Sequence, residues 1–511
     1  MEFLKDISPR DYQQKIFETC IEKNCLVVLP TGMGKTLIAL MLSVYRMKKF
    51  PGEKILFLAP TRPLAEQHQI FFKKHLPELF GEMQLFTGSV EARSRKKLWQ
   101  TADIIFSTPQ CIANDIKNKL YDLKGVCLLI EDEAHRCLKN YDYTYVAESY
   151  KKDSSHQRII GLTASPGSDS QTIRQICKNL SIEEVELRTR DSEDIKHNIQ
   201  ELEFKKIHVD LPPEFLEIKN ALKKIHDSYI DELKSRNLLF EIPTKVNLIK
   251  LQKKISHILA MGGKSFDIFK GMSACASAIK LQHALELIET QTLQGFVNYL
   301  KNLMKQAADL KSKAVQELVK RPEFNFAFIN ANNLLAKKME HPKVEELARI
   351  IEDEKSYNPR FKTIVFSQYR DTAVLITKRL NEILGINAKI FVGQMKKGDT
   401  GLSQKEQKKV IEDFSSGTIN VLCATSIGEE GLDIPEVNLV VFYEPVASAI
   451  RSIQRSGRTA RLEKGKLIVL ITRKTRDESY YYVSRAKEKR MHSAIKEIRK
   501  EMYEKDFQRT L

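Results

Sequence analysis

Three carboxylates and a histidine follow an apolar run in the segment GVCLLIEDEAHRC, residues 125 to 137. An apolar run without alternation is typical of a strand that is covered on both faces, as in a parallel sheet flanked by helices. Ligands of such sheets bind beyond the carboxyl ends of the strands, where acids can hold a metal ion and activate a water molecule. A buried cluster of salt bridges is the alternative interpretation. The residues concerned are Glu131, Asp132, Glu133 and His135.

A second candidate site is the segment LPTGMGKT, residues 29 to 36, which lies between a strand-like run and a helical run. Gly32 and Gly34 allow a tight turn that points backbone N–H groups at phosphates, and the following helix adds its positive dipole end. Lys35 can neutralise the β and γ phosphates of a nucleotide, and the Thr36 hydroxyl can ligate Mg²⁺. The alternative is a chance Gly-Lys-Thr turn, which the flanking strand and helix disfavour.

The loop departs from the common phosphate-loop pattern at Leu29, which stands where that pattern begins with glycine. The form PTGxGKT is used by superfamily 2 helicases, which this segment resembles. The resemblance implies that ATP binds here with Mg²⁺, that Asp132 holds the metal through water, and that Glu133 orients and deprotonates the attacking water. Under this interpretation Glu131 is a surface neighbour, and His135 is a coupling residue rather than a metal ligand.

Short apolar runs alternate with helical segments in two separate parts of the chain. The first series consists of LVVLP, ILFLAPT, DIIFSTP, VCLLIED and RIIGLTAS, starting at residues 26, 55, 103, 126 and 158. The second consists of KTIVFSQ, AKIFVGQ, INVLCATS, VNLVVFYE and KLIVLIT, starting at residues 362, 388, 419, 437 and 466. Each series predicts a parallel α/β domain. Between them, residues 201 to 340 carry apolar residues at spacings of three and four, which predicts a helical insertion.

The composition favours a polyanionic partner. The net charge is +17, from 83 Lys and Arg against 66 Asp and Glu, which points to nucleic acid before membrane. A lysine-rich surface tuned for solubility is the alternative. We expect a cytoplasmic protein without a membrane partner, because no apolar run approaches a membrane span and the first residues lack a signal-peptide core. The eight cysteines form no CxxC pair, so neither a zinc ribbon nor a disulfide framework is indicated.

Further segments resemble superfamily 2 helicase motifs, in order, over nearly the whole chain. They are RDYQQ (10 to 14), APTRPLAEQ (59 to 67), FTG (86 to 88), STPQ (107 to 110), LTASP (162 to 166), IVFSQYRDT (364 to 372), CATSIGEEGLDIP (423 to 435) and IQRSGRTAR (453 to 461). With the helical insertion, they are most similar to the archaeal fork-structure helicase/nuclease family and its Fanconi-anaemia M relatives. The resemblance implies two RecA-like motor domains, residues 1 to 200 and 341 to 511, with the all-helical insertion 201 to 340 between them.

The same resemblance implies roles for individual residues. Those that bind the nucleotide are Arg10, Gln13, Thr31, Gly32, Gly34, Lys35, Thr36, Gly431 and Asp433. Those that contact nucleic acid are Thr61, Arg62, Gly88, Thr108, Gln394 and Thr425. Those that couple hydrolysis to domain movement are His135, Thr163 and Ser165. Those that reach the γ-phosphate from the second motor domain are Gln454, Arg458 and Arg461, where arginines can stabilise the charge of a phosphoryl group in transit. Arg455 is predicted to lie on a solvated basic face or to contact a phosphate backbone.

Two functions compete at this point. The first is an ATP-dependent helicase or translocase that unwinds or remodels branched DNA such as forks and junctions. The second is a RIG-I-like ATPase that binds duplex RNA, or an RNA helicase. The cysteine-rich regulatory domain of those receptors does not occur, which favours DNA. The ERKxxxD nuclease signature of the fork-structure proteins does not occur in the sequence either. A separate or missing nuclease domain is therefore a candidate partner. Four lysines of the insertion could meet a second arm of a junction, or form a solvated face: Lys223, Lys224, Lys253 and Lys254.

Overall fold

A computed structural model describes most of the chain. The described residues are 4 to 139, 141 to 190, 192 to 196, 202 to 262, 265 to 393, 401 to 425, 434 to 456, 459 and 464 to 510. They form two parallel β-sheets covered by helices, with a helical bundle between the two in chain order. The predicted α/β fold class, with two parallel-sheet domains and an all-helical insertion, is therefore confirmed. No helix in this part of the chain is long and apolar enough to cross a membrane.

Parallel strands from the first part of the chain form one seven-stranded sheet. The strands are β1 (Cys25–Val28), β2 (Lys54–Leu58), β3 (Met83–Phe86), β4 (Ile104–Ser107), β5 (Val126–Asp132), β6 (Ile159–Thr163) and β7 (Glu184–Leu187). Their order across the sheet is β3-β4-β2-β5-β6-β1-β7. Because the strands are parallel, all the loops that leave their carboxyl ends lie along one edge. The neighbours β5, β6 and β1 thus bring the acid cluster, LTASP and the phosphate loop together.

Helices cover both faces of this first sheet. They are α1 (Asp11–Glu22), α2 (Lys35–Lys49), α3 (Arg62–His75), α4 (Ala92–Thr101), α5 (Pro109–Lys117), α6 (Asp142–Asp153), α7 (Ser170–Asn179) and α8 (Glu193–Lys196), with short 3-10 turns at Glu78–Phe80 and Ala134–Arg136. All seven residues of β5 are buried, as expected for a central strand between two helical layers. The core therefore lies on both sides of the strand that carries the acids.

A six-stranded parallel sheet forms the second domain. Its strands are β8 (Leu202–Val209), β9 (Thr363–Phe366), β10 (Ala388–Phe391), β11 (Val421–Ala424), β12 (Leu439–Phe442) and β13 (Gly465–Thr472), in the order β10-β11-β9-β12-β13-β8. Strand β8 pairs with β13 along its whole length, so the prediction that residues 202 to 209 belong to the insertion is wrong. Five of its eight residues are exposed, because it is an edge strand, and it therefore lacks the apolar run of a central strand.

The remaining helices of the second domain include one that returns to the first. They are α15 (Pro342–Tyr357), α16 (Arg370–Leu380), α17 (Gln404–Ser416), α18 (Ala449–Ser456) and α19 (Arg476–Thr510). Helix α19 starts on the second domain, and its residues Met491, Ala494, Ile495 and Ile498 are buried in the hydrophobic core of the first. Arg174 of α7 also pairs with Glu501 of α19 at 2.7 Å. The helix therefore connects the two sheets directly.

The insertion is a compact bundle, as its apolar pattern predicts. Its helices are α9 (Pro213–Ser235), α10 (Lys245–Ala260), α11 (Phe266–Thr290), α12 (Leu293–Ala308), α13 (Lys313–Val319) and α14 (Pro322–Ala336). Phe215, Ile218, Leu222 and Ile225 of α9 pack in one hydrophobic cluster with residues of α11, α12 and α14. A second cluster joins the far end of α9 to α10 and the start of α11. We propose the three-domain division, with the helical part of the insertion starting at Pro213.

A buried polar cluster fixes the insertion to the second domain. Lys343 of α15 forms an ion pair with Asp477 of α19, and both side chains are fully buried. The Lys343 ammonium also donates to the carbonyl of Thr290, the last residue of α11, at 3.3 Å. Thr372 of α16 donates to Gln291 Oε1 at 2.9 Å. Removing the insertion would leave the buried Lys343 charge without one of its partners, which is costly in a protein interior.

Candidate functional site

The phosphate loop has the backbone that its glycines predict. Gly32 and Gly34 have φ values of +85° and +72°, in the left-handed region that favours glycine. A Cβ atom on Gly34 would collide with the Gln13 side chain, so no larger residue fits there without rearrangement. Helix α2 begins at Lys35, directly after Gly34. The positive end of this helix therefore faces the loop, which suits a phosphate group.

Helix α1 holds the phosphate loop from one side. The Tyr12 hydroxyl and Gln13 Nε2 both donate to the Met33 carbonyl, at 2.9 and 3.1 Å. Gln13 Oε1 accepts from the Arg10 backbone N–H at 2.9 Å. The Gln13 amide is buried and has contacts at both ends, so a contact with a nucleotide requires it to exchange one of these partners. The nucleotide-binding roles of Arg10 and Gln13 stay predictions.

The Lys35 ammonium lies inside the loop that it follows. It donates to the Leu29 carbonyl at 2.9 Å and to the Pro30 carbonyl at 3.4 Å. Phosphate oxygens can replace these carbonyls as acceptors. A cavity of about 590 Å³ borders Pro30 and Thr31 on the first domain and Ile453 on the second. This volume lies within the range of about 300 to 1,000 Å³ that is usual for small-molecule sites.

Asp132 and Thr36 both contact His68, a residue that is not among the predicted site residues. Asp132 ends β5 and is 7% exposed, and its Oδ2 lies 2.9 Å from His68 Nε2. Thr36 Oγ1 lies 3.4 Å from His68 Nδ1. Burial acts to raise the pKa of Asp132, but His68 and Lys35 together hold it below its usual value. His68 follows APTRPLAEQ by one residue, so its position just past that motif was the available signal.

The donor set around Asp132 suits Mg²⁺. A threonine hydroxyl and an ionised carboxylate are the hard oxygen ligands that this ion prefers, together with water and phosphate oxygens. Within the described residues, no group of three or more His, Cys, Asp or Glu could hold a metal alone. A metal at this place would therefore depend on Thr36, Asp132, water and a bound nucleotide, which is the usual situation of Mg²⁺ beside phosphates.

A line of polar contacts leads from Glu133 to the helix that joins the domains. Glu133 Oε2 lies 3.2 Å from His135 Nδ1 but accepts no hydrogen bond from the described residues. His135 Nδ1 lies 3.2 Å from Thr163 Oγ1, which donates to the Ser165 carbonyl at 3.1 Å. The Ser165 hydroxyl lies 2.9 Å from Met491 Sδ of α19. Contacts through His135, Thr163 and Ser165 therefore connect Glu133 to helix α19, which starts on the second domain.

The prediction that Glu131 is a surface neighbour is wrong. Its side chain is 0% exposed, and its two carboxyl oxygens accept no hydrogen bond within the described part of the chain. Burial raises the pKa of Glu131 well above its usual range. The physical reason is its place in β5, where successive side chains point to opposite faces and both faces are covered. Asp132 therefore faces His68, while Glu131 lies in the core near Cys137.

Predicted nucleic-acid contacts occupy the other half of the same sheet edge. Thr61 follows β2 at the N-cap position of α3, Thr108 follows β4 at the N-cap position of α5, and Gly88 follows β3. Arg62 is exposed beside Thr61. Two helix N-termini thus lie side by side, and such termini bind phosphate groups. These contacts stay predictions, but the strand order brings their residues together and separates them from the phosphate loop.

In the second domain, Thr425 directly follows β11 and is buried, with its backbone N–H donating to the Phe391 carbonyl at 3.1 Å. Several other predicted residues lie outside the described part of the chain, and their roles stay predictions. They are Gln394, Gly431, Asp433, Arg458, Arg461 and the side chain of Gln454.

The prediction of a solvated or phosphate-binding Arg455 is wrong. The residue is 0% exposed, and its guanidinium lies over the rings of Phe366 and Phe442, 5.1 and 5.6 Å from their centroids. Burial raises the pKa of the neighbouring Glu444 to about 7, against the opposing effect of the Arg455 charge. Helix α18 packs on the sheet face, so Arg455 points into the core and fixes this helix there.

Comparison with known proteins identifies the class. Residues 10–173 match "DEAD/DEAH box helicase", residues 342–463 match "Helicase conserved C-terminal domain", and residues 214–339 match "Putative ATP-dependent RNA helicase, helical bundle". The chain therefore belongs to the DEAD/DEAH-box helicases of superfamily 2, a class of ATP-hydrolysing enzymes. Within this class, the chain is similar to the Pyrococcus furiosus Hef helicase domain, which is known from a crystal structure. The two sequences are 41% identical, and the two structures match with a TM-score of 0.71. The match covers 93% of this chain and 98% of that one, which confirms the predicted resemblance to fork-structure helicases.

Curated relatives extend this comparison. A "Putative ATP-dependent RNA helicase" of Methanocaldococcus jannaschii is 39% identical over 97% of this chain and 61% of its own length. The "ATP-dependent DNA helicase mph1" of Neurospora crassa is 32% identical over 92% of this chain and 41% of its own length. The "Fanconi anemia group M protein homolog" of Mus musculus is 32% identical over 95% of this chain and 26% of its own length. The chain thus spans less than two thirds of each of these relatives.

Proposed function

We propose that this chain is an ATP-driven DNA helicase or translocase that acts on branched DNA. The observation that carries this proposal is the division of one sheet edge into two adjacent halves. Loops after β1, β5 and β6 hold the candidate nucleotide residues, and loops after β2, β3 and β4 hold the candidate nucleic-acid residues. Support for DNA comes from relatives named as DNA helicases and from the likeness to the Hef helicase domain.

In this proposal, each residue near the phosphate loop has a specific task. Lys35 neutralises the β and γ phosphates, and the N–H groups around Gly34 bind their oxygens. Glu133 orients the attacking water and accepts its proton. Thr36 and Asp132 would hold Mg²⁺, which supplies positive charge to the phosphates when bound. Arg458 and Arg461 act from the second domain on the charge of the transferred phosphoryl group.

Coupling of hydrolysis to movement follows the polar contacts that start at Glu133. A change at Glu133 alters the surroundings of His135, and His135 contacts Thr163. Ser165 then contacts Met491 of helix α19. This helix starts on the second domain. We propose this series of contacts as the route by which the state of the nucleotide changes the angle between the two sheets.

The first prediction concerns the contacts that bind the nucleic-acid backbone. Arg62→Ala is expected to weaken binding about equally for all base sequences and to reduce the slope of log affinity against log salt by about 1, because one phosphate contact is lost. Fluorescence anisotropy with labelled strands of different composition, at several salt concentrations, measures both quantities. Arg360→Ala is the control, because Arg360 is an exposed arginine that precedes β9, away from the carboxyl ends of the strands. A loss confined to one base sequence would contradict the prediction.

The second candidate function is an RNA-dependent ATPase. It is favoured by the descriptions of the helical-bundle match and of the Methanocaldococcus relative, which both name RNA. The decisive experiment measures ATP hydrolysis with single strands, linear duplex, forks and four-way junctions of DNA, and with duplex RNA. We expect forks and junctions to stimulate hydrolysis most. Stimulation by duplex RNA alone would establish the second function instead.

The insertion gives a prediction about branched structure. Its lysine pairs Lys223/Lys224 on α9 and Lys253/Lys254 on α10 are exposed, as expected of residues that meet phosphates. Lys224 pairs with Glu323 at 3.3 Å, whereas no ion pair of Lys253 or Lys254 occurs within the described residues. We therefore expect Lys253→Ala with Lys254→Ala to reduce the preference for forks over linear duplex more than the α9 double variant does.

Point substitutions are preferable to deletion of the insertion, because deletion would disrupt the buried cluster around Lys343. The matched control is Lys48→Ala with Lys49→Ala, an exposed lysine pair at the end of α2, at the opposite edge of the first sheet. Exposed substitutions of this kind change stability by less than about 0.5 kcal/mol. Competition binding between labelled forks and unlabelled linear duplex measures the preference. An equal loss in the control pair would mean that total charge, and not the insertion, sets the preference.

A further inference from the structure

His68 of α3 joins the two residues that would hold Mg²⁺. Its Nε2 lies 2.9 Å from Asp132 Oδ2, and its Nδ1 lies 3.4 Å from Thr36 Oγ1. A neutral imidazole has one donor and one acceptor, so Nε2–H can donate to the carboxylate while Nδ1 accepts from the hydroxyl. The ring is 7% exposed and lies against Phe57, with 4.4 Å between the ring centroids. The imidazole thus bridges Thr36 and Asp132.

This bridge would compete with a metal held by the same two side chains. Thr36 Oγ1 would be a direct ligand of Mg²⁺ and Asp132 would bind it through water, and oxygen atoms are the ligands that this ion prefers. In the structure, the imidazole contacts both of these oxygen atoms. A metal bound by both side chains would therefore compete with the ring for them.

The surroundings of His68 offer space for a displaced ring. A cavity of about 580 Å³ lies between α3 and α17, and it is lined by Thr36, His68 and Ile411 among others. Glu66 of α3 pairs with Lys408 of α17 across it at 3.1 Å. Because His68 itself lines this cavity, open space lies directly beside the ring.

Helix α3 also connects His68 to the predicted nucleic-acid contacts. The helix begins at Arg62, after Thr61. His68 therefore lies about two helical turns from the candidate phosphate contacts. A small displacement of α3 by nucleic acid, or by α17 through the Glu66–Lys408 pair, moves the imidazole relative to Asp132.

We propose that His68 is a positioning residue that holds Thr36 and Asp132 in a metal-free arrangement and is displaced when Mg²⁺ and nucleotide bind. This inference rests on the proposed function, because it takes the phosphate loop to be the nucleotide site. It adds His68 of α3 to the residues whose arrangement depends on the bound nucleotide. In the protein without nucleic acid, His68 then opposes metal binding by Thr36 and Asp132. Nucleic acid that moves α3 relieves this restraint.

The test measures metal dependence of nucleotide binding rather than hydrolysis. Binding of a fluorescent ATP analogue is titrated with Mg²⁺, without nucleic acid, for the wild-type protein and for His68→Ala. We expect the half-saturating Mg²⁺ concentration to fall about tenfold in the variant, the size expected when one hydrogen bond to a charged group no longer has to be broken. His68→Asn is expected to shift it in the same direction, since an asparagine amide cannot span both partners.

His75→Ala is the matched control. His75 lies on the same helix, is also 7% exposed, and its Nδ1 contacts the Lys5 carbonyl at 2.9 Å instead of the metal residues. We expect its Mg²⁺ dependence to equal that of the wild type. A higher or unchanged half-saturating concentration in both His68 variants would overturn the inference while leaving the proposed function intact. Failure of the wild-type protein to bind nucleotide at all would overturn both.

Discussion

Lys35→Ala is expected to abolish ATP hydrolysis and to weaken ATP binding, whereas Glu133→Gln is expected to keep nucleotide binding and stop turnover. The lysine variant removes a full positive charge from the loop that surrounds the phosphates. The glutamine variant keeps the shape of the side chain but cannot accept a proton, and general-base catalysis contributes a factor of about 10² to 10⁴ in rate. Equilibrium binding of a fluorescent nucleotide and steady-state phosphate release, measured on the same preparations, separate the two effects.

Glu131→Gln is the control for this experiment. Glu131 is two residues from Glu133 on the same segment, but it lies in the core and not at the loop. A change to the amide keeps its volume and leaves the charge at the phosphate site unchanged. We expect turnover in this variant to stay within a few-fold of the wild type, since no catalytic group is altered. Wild-type turnover in Glu133→Gln, or an equal loss in Glu131→Gln, would contradict the assignment of Glu133 as the base.

Features that the sequence predicted correctly depend on short segments. The phosphate loop needs a strand, two glycines and a helix start within a dozen residues, and Gly34 has the left-handed backbone that this arrangement requires. The two sheets follow from apolar runs that are typical of strands buried on both faces. The insertion follows from the helical spacing of residues such as Phe215 and Leu222, which are buried as expected. In each case one local pattern determines one local structure.

Features that the sequence did not predict depend on contacts between distant segments. Strand β8 is recognisable only from its pairing with β13, because an edge strand with exposed charges has no apolar run. Arg455 has the composition of a surface residue, and only the packing of α18 against Phe366 and Phe442 places it in the core. His68 is adjacent to a predicted motif, yet its role follows from an approach to Asp132, 64 residues further along the chain. Charge in a sequence does not reveal whether a residue is solvated.

The arginines of IQRSGRTAR provide the second large effect. The structure shows Arg455 in the core, whereas the role of Arg458, which lies outside the described residues, stays a prediction. Arg458→Ala is expected to lower turnover by a factor of about 10³ or more, because an arginine from the second domain stabilises the charge of the transferred phosphoryl group. Nucleotide binding and the melting temperature should change little, since the arginine acts chiefly in the transition state. Single-turnover hydrolysis with saturating ATP measures the first quantity. Full turnover in this variant would rule out Arg458 as the arginine finger.

Arg455→Ala is the contrasting variant, and its primary effect is expected on stability. Loss of the buried guanidinium leaves the Glu444 carboxylate without a charge that opposes the burial effect on its pKa, which is already raised to about 7. We expect the variant to be less stable by about 0.5 to 3 kcal/mol, the usual range for destabilising single substitutions. A glutamate with a folded pKa above its unfolded value of about 4.5 binds its proton more tightly in the folded state, so this contribution to stability is lost as pH rises. Removing Arg455 raises the folded pKa further, so the difference in melting temperature between variant and wild type should widen from pH 6 to pH 8. A variant that melts like the wild type at both pH values, but has lost turnover, would place Arg455 at the phosphates after all.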